Sequence, residues 1–192
     1  MKFRNIWLTA LLAATLFTLI PAQAEVSWNQ VKSKIKSAKN YTVTYKYDGP
    51  SGVYDMDYRW SPDKIRTEIV KSPKDRSKRG TVIVYDKSFS ADKVRAKTGG
   101  GFIVRNLTHE DVKGKPFYQS LFGMILDQVS SLGQPKASKS GSNTLFSFSN
   151  GKYKVWADAN GDIVKTKRKD GLVDETREFT TFKWNGSPDF SL

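Results

Sequence analysis

The stretch VYDMDYRWSPDKIRTEIV, residues 53–70, decides the fold. Strand side chains alternate with period two, so Tyr54, Met56, Tyr58 and Trp60 share one face while Asp55, Asp57 and Arg59 take the other. This pattern predicts a half-buried strand. Ser61-Pro62-Asp63-Lys64 then presets a turn, and residues 65–70 return as a second strand, giving an antiparallel hairpin. One face of the hairpin is loaded with large, partly polar aromatics. Whatever covers that face, a helix or a ligand, decides what the protein does.

Working outward towards the N-terminus, residues 41–47 read as a strand with Val43, Tyr45 and Tyr47 on one face, joined to the hairpin by the Asp48-Gly49-Pro50-Ser51-Gly52 turn. Residues 27–39 form a basic amphipathic helix, with Trp28, Val31, Ile35 and Ala38 at helical steps and Ser27 as N-cap. Its narrow apolar stripe suits either packing on a sheet or lying on a membrane surface. Towards the C-terminus, residues 71–80 (KSPKDRSKRG) are charged and lack apolar residues, which predicts a mobile loop. Strands are expected at 81–85, 89–96 and 102–107, with Gly99-Gly100-Gly101 as a flexible joint. A second helix is expected over 116–132, with Leu121, Phe122, Ile125, Val129 and Leu132 in helical phase and Gly133 as its stop. Its apolar arc is wide enough for deep burial or for a lid over an apolar cavity.

Residues 134–143 read as a polar linker. Strands at 144–149, 153–158, 163–168 and 175–184 follow, separated by Asn150-Gly151, Asn160-Gly161 and Asp170-Gly171, which are hairpin turn pairs. The count reaches nine or ten strands. The predicted class is mainly β (α+β): one large curved antiparallel sheet forming an incomplete β-barrel, with helices on its concave side as a lid.

Residues 1–24 stand apart, with Lys2 and Arg4, an apolar run from Ile6 to Ile20, and Pro21-Ala22-Gln23-Ala24 in the small-residue pattern of a cleavage site. This predicts a signal peptide removed after Ala24, leaving 25–192 as one exported, periplasmic domain. There is no cysteine, so no disulfide supports the fold. The net charge of +13 favours anionic surfaces. For an exported chain that points to a membrane surface, or a membrane-bound partner, before nucleic acid. Lys71, Lys74, Arg76, Lys78 and Arg79 are the candidate contacts.

Chemical motifs are sparse. His109 is the single histidine, and with no cysteine it lacks the further ligands a metal needs. Thr108 with Asp111 resembles a helix-capping pair instead. The sequence from Asp158 to Asp162 echoes a calcium loop but lacks the closing glutamate. The glycine triplet has no dinucleotide-binding spacing. No serine-histidine-acid set assembles around His109, and Asp55 with Asp57 read as solvent-face carboxylates. The expectation is a protein that is not an enzyme and carries no cofactor or metal.

Trp60-Ser61-Pro62-Asp63-Lys64-Ile65-Arg66, then Val82-Ile83-Val84-Tyr85-Asp86, the central apolar helix, Asp158-Ala159-Asn160-Gly161 and the closing Pro188-Asp189-Phe190 follow a recurring order. Across nearly the whole mature chain this order resembles the LolA-like outer-membrane lipoprotein-sorting proteins and their LolB, LppX and RseB relatives. The resemblance implies an incomplete barrel whose helices cover an apolar trough for acyl chains. Arg66 stands where such carriers place a lid latch. The trough would be lined by Tyr45, Tyr54, Met56, Tyr58, Trp60 and Ile83, with Phe122, Met124, Ile125 and Val129 from the lid. The implied function is a periplasmic, monomeric carrier of lipids or lipoprotein acyl chains. A protein-interaction or stress-sensor module of the RseB kind and a binder of anionic surfaces through basic loops are the alternatives.

Overall fold

The structure, a computed structural model, describes residues 25–98, 104–113 and 115–192. The leader sequence and the glycine joint at 99–101 lie outside the described residues. Eleven strands form one open antiparallel sheet in the order β6-β5-β4-β3-β2-β1-β11-β10-β9-β8-β7. They are β1 (Tyr41–Gly49), β2 (Gly52–Ser61), β3 (Lys64–Lys71), β4 (Val82–Asp86), β5 (Lys93–Lys97), β6 (Val104–Thr108), β7 (Lys136–Ser140), β8 (Asn143–Phe148), β9 (Tyr153–Ala157), β10 (Ile163–Asp170) and β11 (Val173–Trp184). The helices are α1 (Trp28–Ser37) and α2 (Leu121–Ser130).

Each half of the sheet is a meander, because short turns leave consecutive strands only their neighbours to pair with. The halves join where β1 pairs with β11, with Tyr41 opposite Trp184 and Val43 opposite Phe182. The edges, β6 and β7, are consecutive in the chain. Residues 109–135 must therefore travel from one edge of the sheet to the other, and this crossing carries α2 over the inner face.

The hairpin of residues 53–70 is present and antiparallel, with Arg59 opposite Arg66 and Trp60 opposite Ile65. Several expected boundaries shift. The segment expected as a linker at 134–143 contains β7, whose Lys-Ala-Ser-Lys-Ser sequence has no apolar alternation; all but its last residue are exposed, as a sheet edge permits. The strand expected at 89–96 begins only at Lys93, after a turn in which the Ser90 hydroxyl donates to Asp92. The charged loop at 71–80 holds a short 3-10 turn at Arg76–Lys78, capped by the Asp75 carboxylate. The expected helix-capping pair closes a turn instead: Asp111 accepts from the Thr108 amide at 2.7 Å and from its hydroxyl at 2.8 Å, with no helix following.

Of the two readings open for α1, the packed one is observed. Its N-terminus is closed by a capping box in which Ser27 accepts from the Gln30 amide and Gln30 accepts from the Ser27 amide. Val31 and Ile35 are buried, and Trp28 packs against Phe146 and Phe148 of β8 at ring distances of 5.2 Å. Lys34 leaves the basic face to reach the β9–β10 turn, donating to the Asn160 carbonyl at 3.0 Å and lying 2.7 Å from Asp162. The Trp184 indole donates to the same carboxylate at 2.8 Å. The segment that echoes a calcium loop is thus a turn whose counter-cation is a lysine ammonium.

Candidate functional site

The aromatic face continues across three strands. Pairing sets Trp60 opposite Tyr41, Tyr58 opposite Val43, Met56 opposite Tyr45, and Tyr54 opposite Tyr47. On the far side of β1, Tyr45 meets Phe179 and Tyr47 meets Arg177. A bulge at Thr180 changes the inward phase of β11 from odd residues, Arg177 and Phe179, to even ones, Phe182 and Trp184. The resulting stripe has two ends in different surroundings.

At the Trp60–Tyr41–Trp184 end the face is covered by α2. Leu121, Phe122, Met124, Ile125 and Val129 are all buried there. Phe122 lies 4.9 Å from Tyr41, 5.4 Å from Phe179 and 5.6 Å from Trp184, ring centre to ring centre. Tyr41 stacks on Trp60 at 5.1 Å. This half is filled core. Tyr58, Trp60, Phe122, Met124, Ile125 and Val129, expected as trough wall and lid, meet one another's side chains or their core neighbours and do not line the cavity described below.

The start of α2 explains why this end needs tyrosines. A helix leaves its first amides without intrahelical acceptors, and here they are buried. The Tyr58 hydroxyl accepts from the Leu121 amide at 3.0 Å and donates to the Gln119 carbonyl at 2.8 Å. Tyr41 accepts from the Phe122 amide at 3.2 Å, with its hydroxyl 2.9 Å from the Ser120 hydroxyl. Ser120 itself caps Gly123 at 3.0 Å, and its carbonyl takes the Met124 amide at 2.8 Å. All four amides are satisfied. The helix therefore begins at Leu121 and not at Pro116, because the sheet supplies its cap. Burial pushes the Tyr58 phenol well above its ordinary range, and the Tyr41 phenol likewise. Tyr58→Phe removes one oxygen and strands a buried amide and a partly buried carbonyl. It should cost about 2 kcal/mol, read as a lower urea midpoint with unchanged slope. A loss below about 0.5 kcal/mol would show that these bonds do not hold the helix.

At the Tyr54–Tyr47–Arg177 end the helix does not reach, and a pocket of about 450 Å³ remains. Its volume lies within the ordinary range for small-molecule sites. Tyr45, Met56 and Ile83, all buried, form its floor together with Ile69. Pro116, Phe117 and Val173 supply further apolar wall, and Tyr47 and Tyr54 stand side by side with rings 6.1 Å apart. Tyr45, Tyr54, Met56 and Ile83 are the four predicted trough residues that the structure brings together here. Tyr47, Phe117, Arg168, Val173 and Arg177 were not anticipated. The phase change along β11 was the readable signal for Arg177, since Arg177 and Phe179 alternate inward while Phe182 and Trp184 require an intervening bulge.

Arg177 is only 4% exposed. One of its terminal nitrogens lies 2.6 Å from the Glu175 carboxylate, although outside hydrogen-bonding geometry, and its guanidinium sits 5.6 Å over the Tyr47 ring. Burial raises the Tyr45 phenol, opposed by the Arg177 charge. Lys78 enters from the basic loop, donating to the Tyr54 hydroxyl at 3.0 Å; that bond is the main cause of its raised pKa. The other loop cations, Lys71, Lys74, Arg76 and Arg79, are exposed and do not line the pocket.

Arg66 takes a different role from the latch implied by the family resemblance. Alternation buries Ile65 and Thr67 on the inner face, which turns Arg66 outward. There it bonds the Ser191 carbonyl at 2.7 Å and pairs with Glu68 at 2.9 Å, while Arg59 donates to the Asp189 carbonyl at 2.8 Å. These arginines fasten the C-terminal segment to the back of the sheet. The helix is held by Tyr41 and Tyr58.

No protein-family model and no curated protein matches the sequence. Solved structures do. The chain is similar to the Mycobacterium tuberculosis lipoprotein LppX, with 13% identity, 85% of this chain and 95% of that one covered, and a TM-score of 0.49. It is also similar to an outer membrane lipoprotein-sorting protein domain from Vibrio parahaemolyticus, with 13% identity, coverages of 84% and 92%, and a TM-score of 0.43. A DUF1329 family protein from Desulfovibrio piger follows, with 8% identity, coverages of 84% and 92%, and a TM-score of 0.37. The likeness, to lipoprotein-sorting proteins among others, is one of fold.

Proposed function

We propose that the protein is a periplasmic binding protein for a lipid or an acyl chain, held in the pocket at the Tyr47–Tyr54 end of the sheet. The observation that carries this reading is an apolar floor of Tyr45, Met56, Ile69 and Ile83 under about 450 Å³ of space, beside the packed cluster around Phe122. Each methylene buried on such a floor contributes about 0.8 kcal/mol, so an alkyl chain binds without covalent chemistry. Export would follow from the leader at residues 1–24. The acyl chain occupies the gap that α2 leaves uncovered, so α2 serves as fixed core beside the site and not as its door.

A fluorescent fatty acid titrated into delipidated protein tests this. It should bind saturably, and Ile69→Trp or Val173→Trp, which place an indole in the pocket from half-buried positions, should weaken binding by at least about tenfold. Val104→Trp, at the exposed sheet edge, should leave it unchanged. Equal effects of all three substitutions would place the ligand elsewhere, and no saturable binding would remove the proposal.

A further inference from the structure

The charged residues around this pocket are unequal in sign. Lys78, Lys113, Lys115, Arg168 and Arg177 contribute to its lining, against the single carboxylate of Glu175. Glu175 is already engaged at 2.6 Å by Arg177. The carboxylate partners of Lys78 and Lys113 are exposed, Asp75 at 3.5 Å and Glu110 at 3.3 Å, and such surface pairs contribute little. Lys115 and Arg168 have no carboxylate within ion-pairing distance among the described residues. Arg177 is the strongest sign of a missing group. A guanidinium offers five donors, and in this one, almost completely buried in the wall of the pocket, the terminal nitrogen 2.6 Å from Glu175 is held by charge alone, outside hydrogen-bonding geometry. A buried donor left unsatisfied is costly unless a ligand completes it.

Resting on the acyl-binding reading, we infer that the pocket selects an amphiphile with an anionic head group, a carboxylate or a phosphate ester, over a neutral or cationic one of equal chain length. The alkyl chain lies on the Tyr45–Met56–Ile83 floor. The head group completes the donors of Arg177, within the field of the lysines at the mouth. A cleft lined by one sign of charge with low-dielectric walls concentrates that field, so the mouth also draws the anionic end inward. The guanidinium fork matches the oxygens of either head group. The basic loop at 71–80 thereby acquires one specific member, Lys78, whose ammonium is fixed on Tyr54 at the pocket edge.

The test compares dodecanoate, dodecyl phosphate, dodecan-1-ol and dodecyltrimethylammonium by calorimetric titration into the delipidated full chain at low ionic strength. At least one of the two anions should bind about tenfold or more tighter than the alcohol, and the cation most weakly; which anion leads identifies the head group as fatty acid or phosphate ester. The triple variant Lys78→Gln, Lys113→Gln, Lys115→Gln, confined to exposed side chains, should reduce the ratio of anion to alcohol affinity by about tenfold. Alcohol and anions binding equally would overturn the head-group inference while the acyl reading stands. A preference untouched by the triple variant would also overturn it. Failure of all four amphiphiles to bind would overturn both.

Discussion

Phe122→Ala is expected to cost the protein about 3–5 kcal/mol and to lower its melting temperature by roughly 10 °C. The side chain is 1% exposed and its ring is surrounded by Tyr41, Phe179 and Trp184 within 5.6 Å and by Phe182 at 6.3 Å. Truncation leaves a cavity lined by rigid rings that cannot collapse into it. The substitution also discriminates between two meanings of α2. As part of the core, it unfolds together with the sheet, and the variant shows one cooperative transition at lower denaturant with binding at the pocket retained below that transition. As a detachable lid, it would loosen alone, leaving the main midpoint within about 1 kcal/mol of the parent while an apolar dye bound the exposed Tyr41–Trp184 face. That second outcome would refute the fixed-core role given to α2.

Alkaline loss of stability is the second large effect. Burial raises the phenol pKa values of Tyr41, Tyr45, Tyr58 and Tyr153 in the folded state above the ordinary value of 10.0. A raised folded-state pKa means that the folded chain holds more protons than the unfolded one once pH passes the unfolded value. Stability from these groups is therefore complete below about pH 10 and falls as pH rises beyond it, each buried phenol contributing up to about 1.4 kcal/mol per pH unit. The urea midpoint should be level from neutral pH to about pH 9 and then drop steeply, with most phenolate absorbance from these four appearing only as the chain unfolds. Tyr58→Phe should make the drop shallower. A midpoint at about pH 11 equal to that at neutral pH would show that these hydroxyls are not confined as described.

The strand content was legible because period-two alternation and turn chemistry are local. Tyr54 to Trp60, the Pro62 turn, and the Asn-Gly and Asp-Gly pairs fixed most strands and their antiparallel order. β7 was missed because an exposed edge strand of lysine, serine and alanine carries no burial pattern. The start of α2 was placed too early because its cap comes from tyrosines 63 and 81 positions away in the chain. Arg66 was given to the helix by family resemblance, although the alternation of its own strand, with Ile65 and Thr67 inward, already turned it to the back of the sheet.

By itself the sequence determined which side chains face inward. Alternation follows from backbone geometry and needs no knowledge of the neighbours. Only the tertiary structure decided which of those inward residues are core and which border empty space. Tyr58 and Tyr54 lie on one strand, one face and four residues apart, yet the first caps a buried helix and the second lines a pocket. The difference is set by where the crossing from β6 to β7 lays α2 over the sheet, and that position depends on long-range packing of Phe122 and its ring partners that no local pattern records.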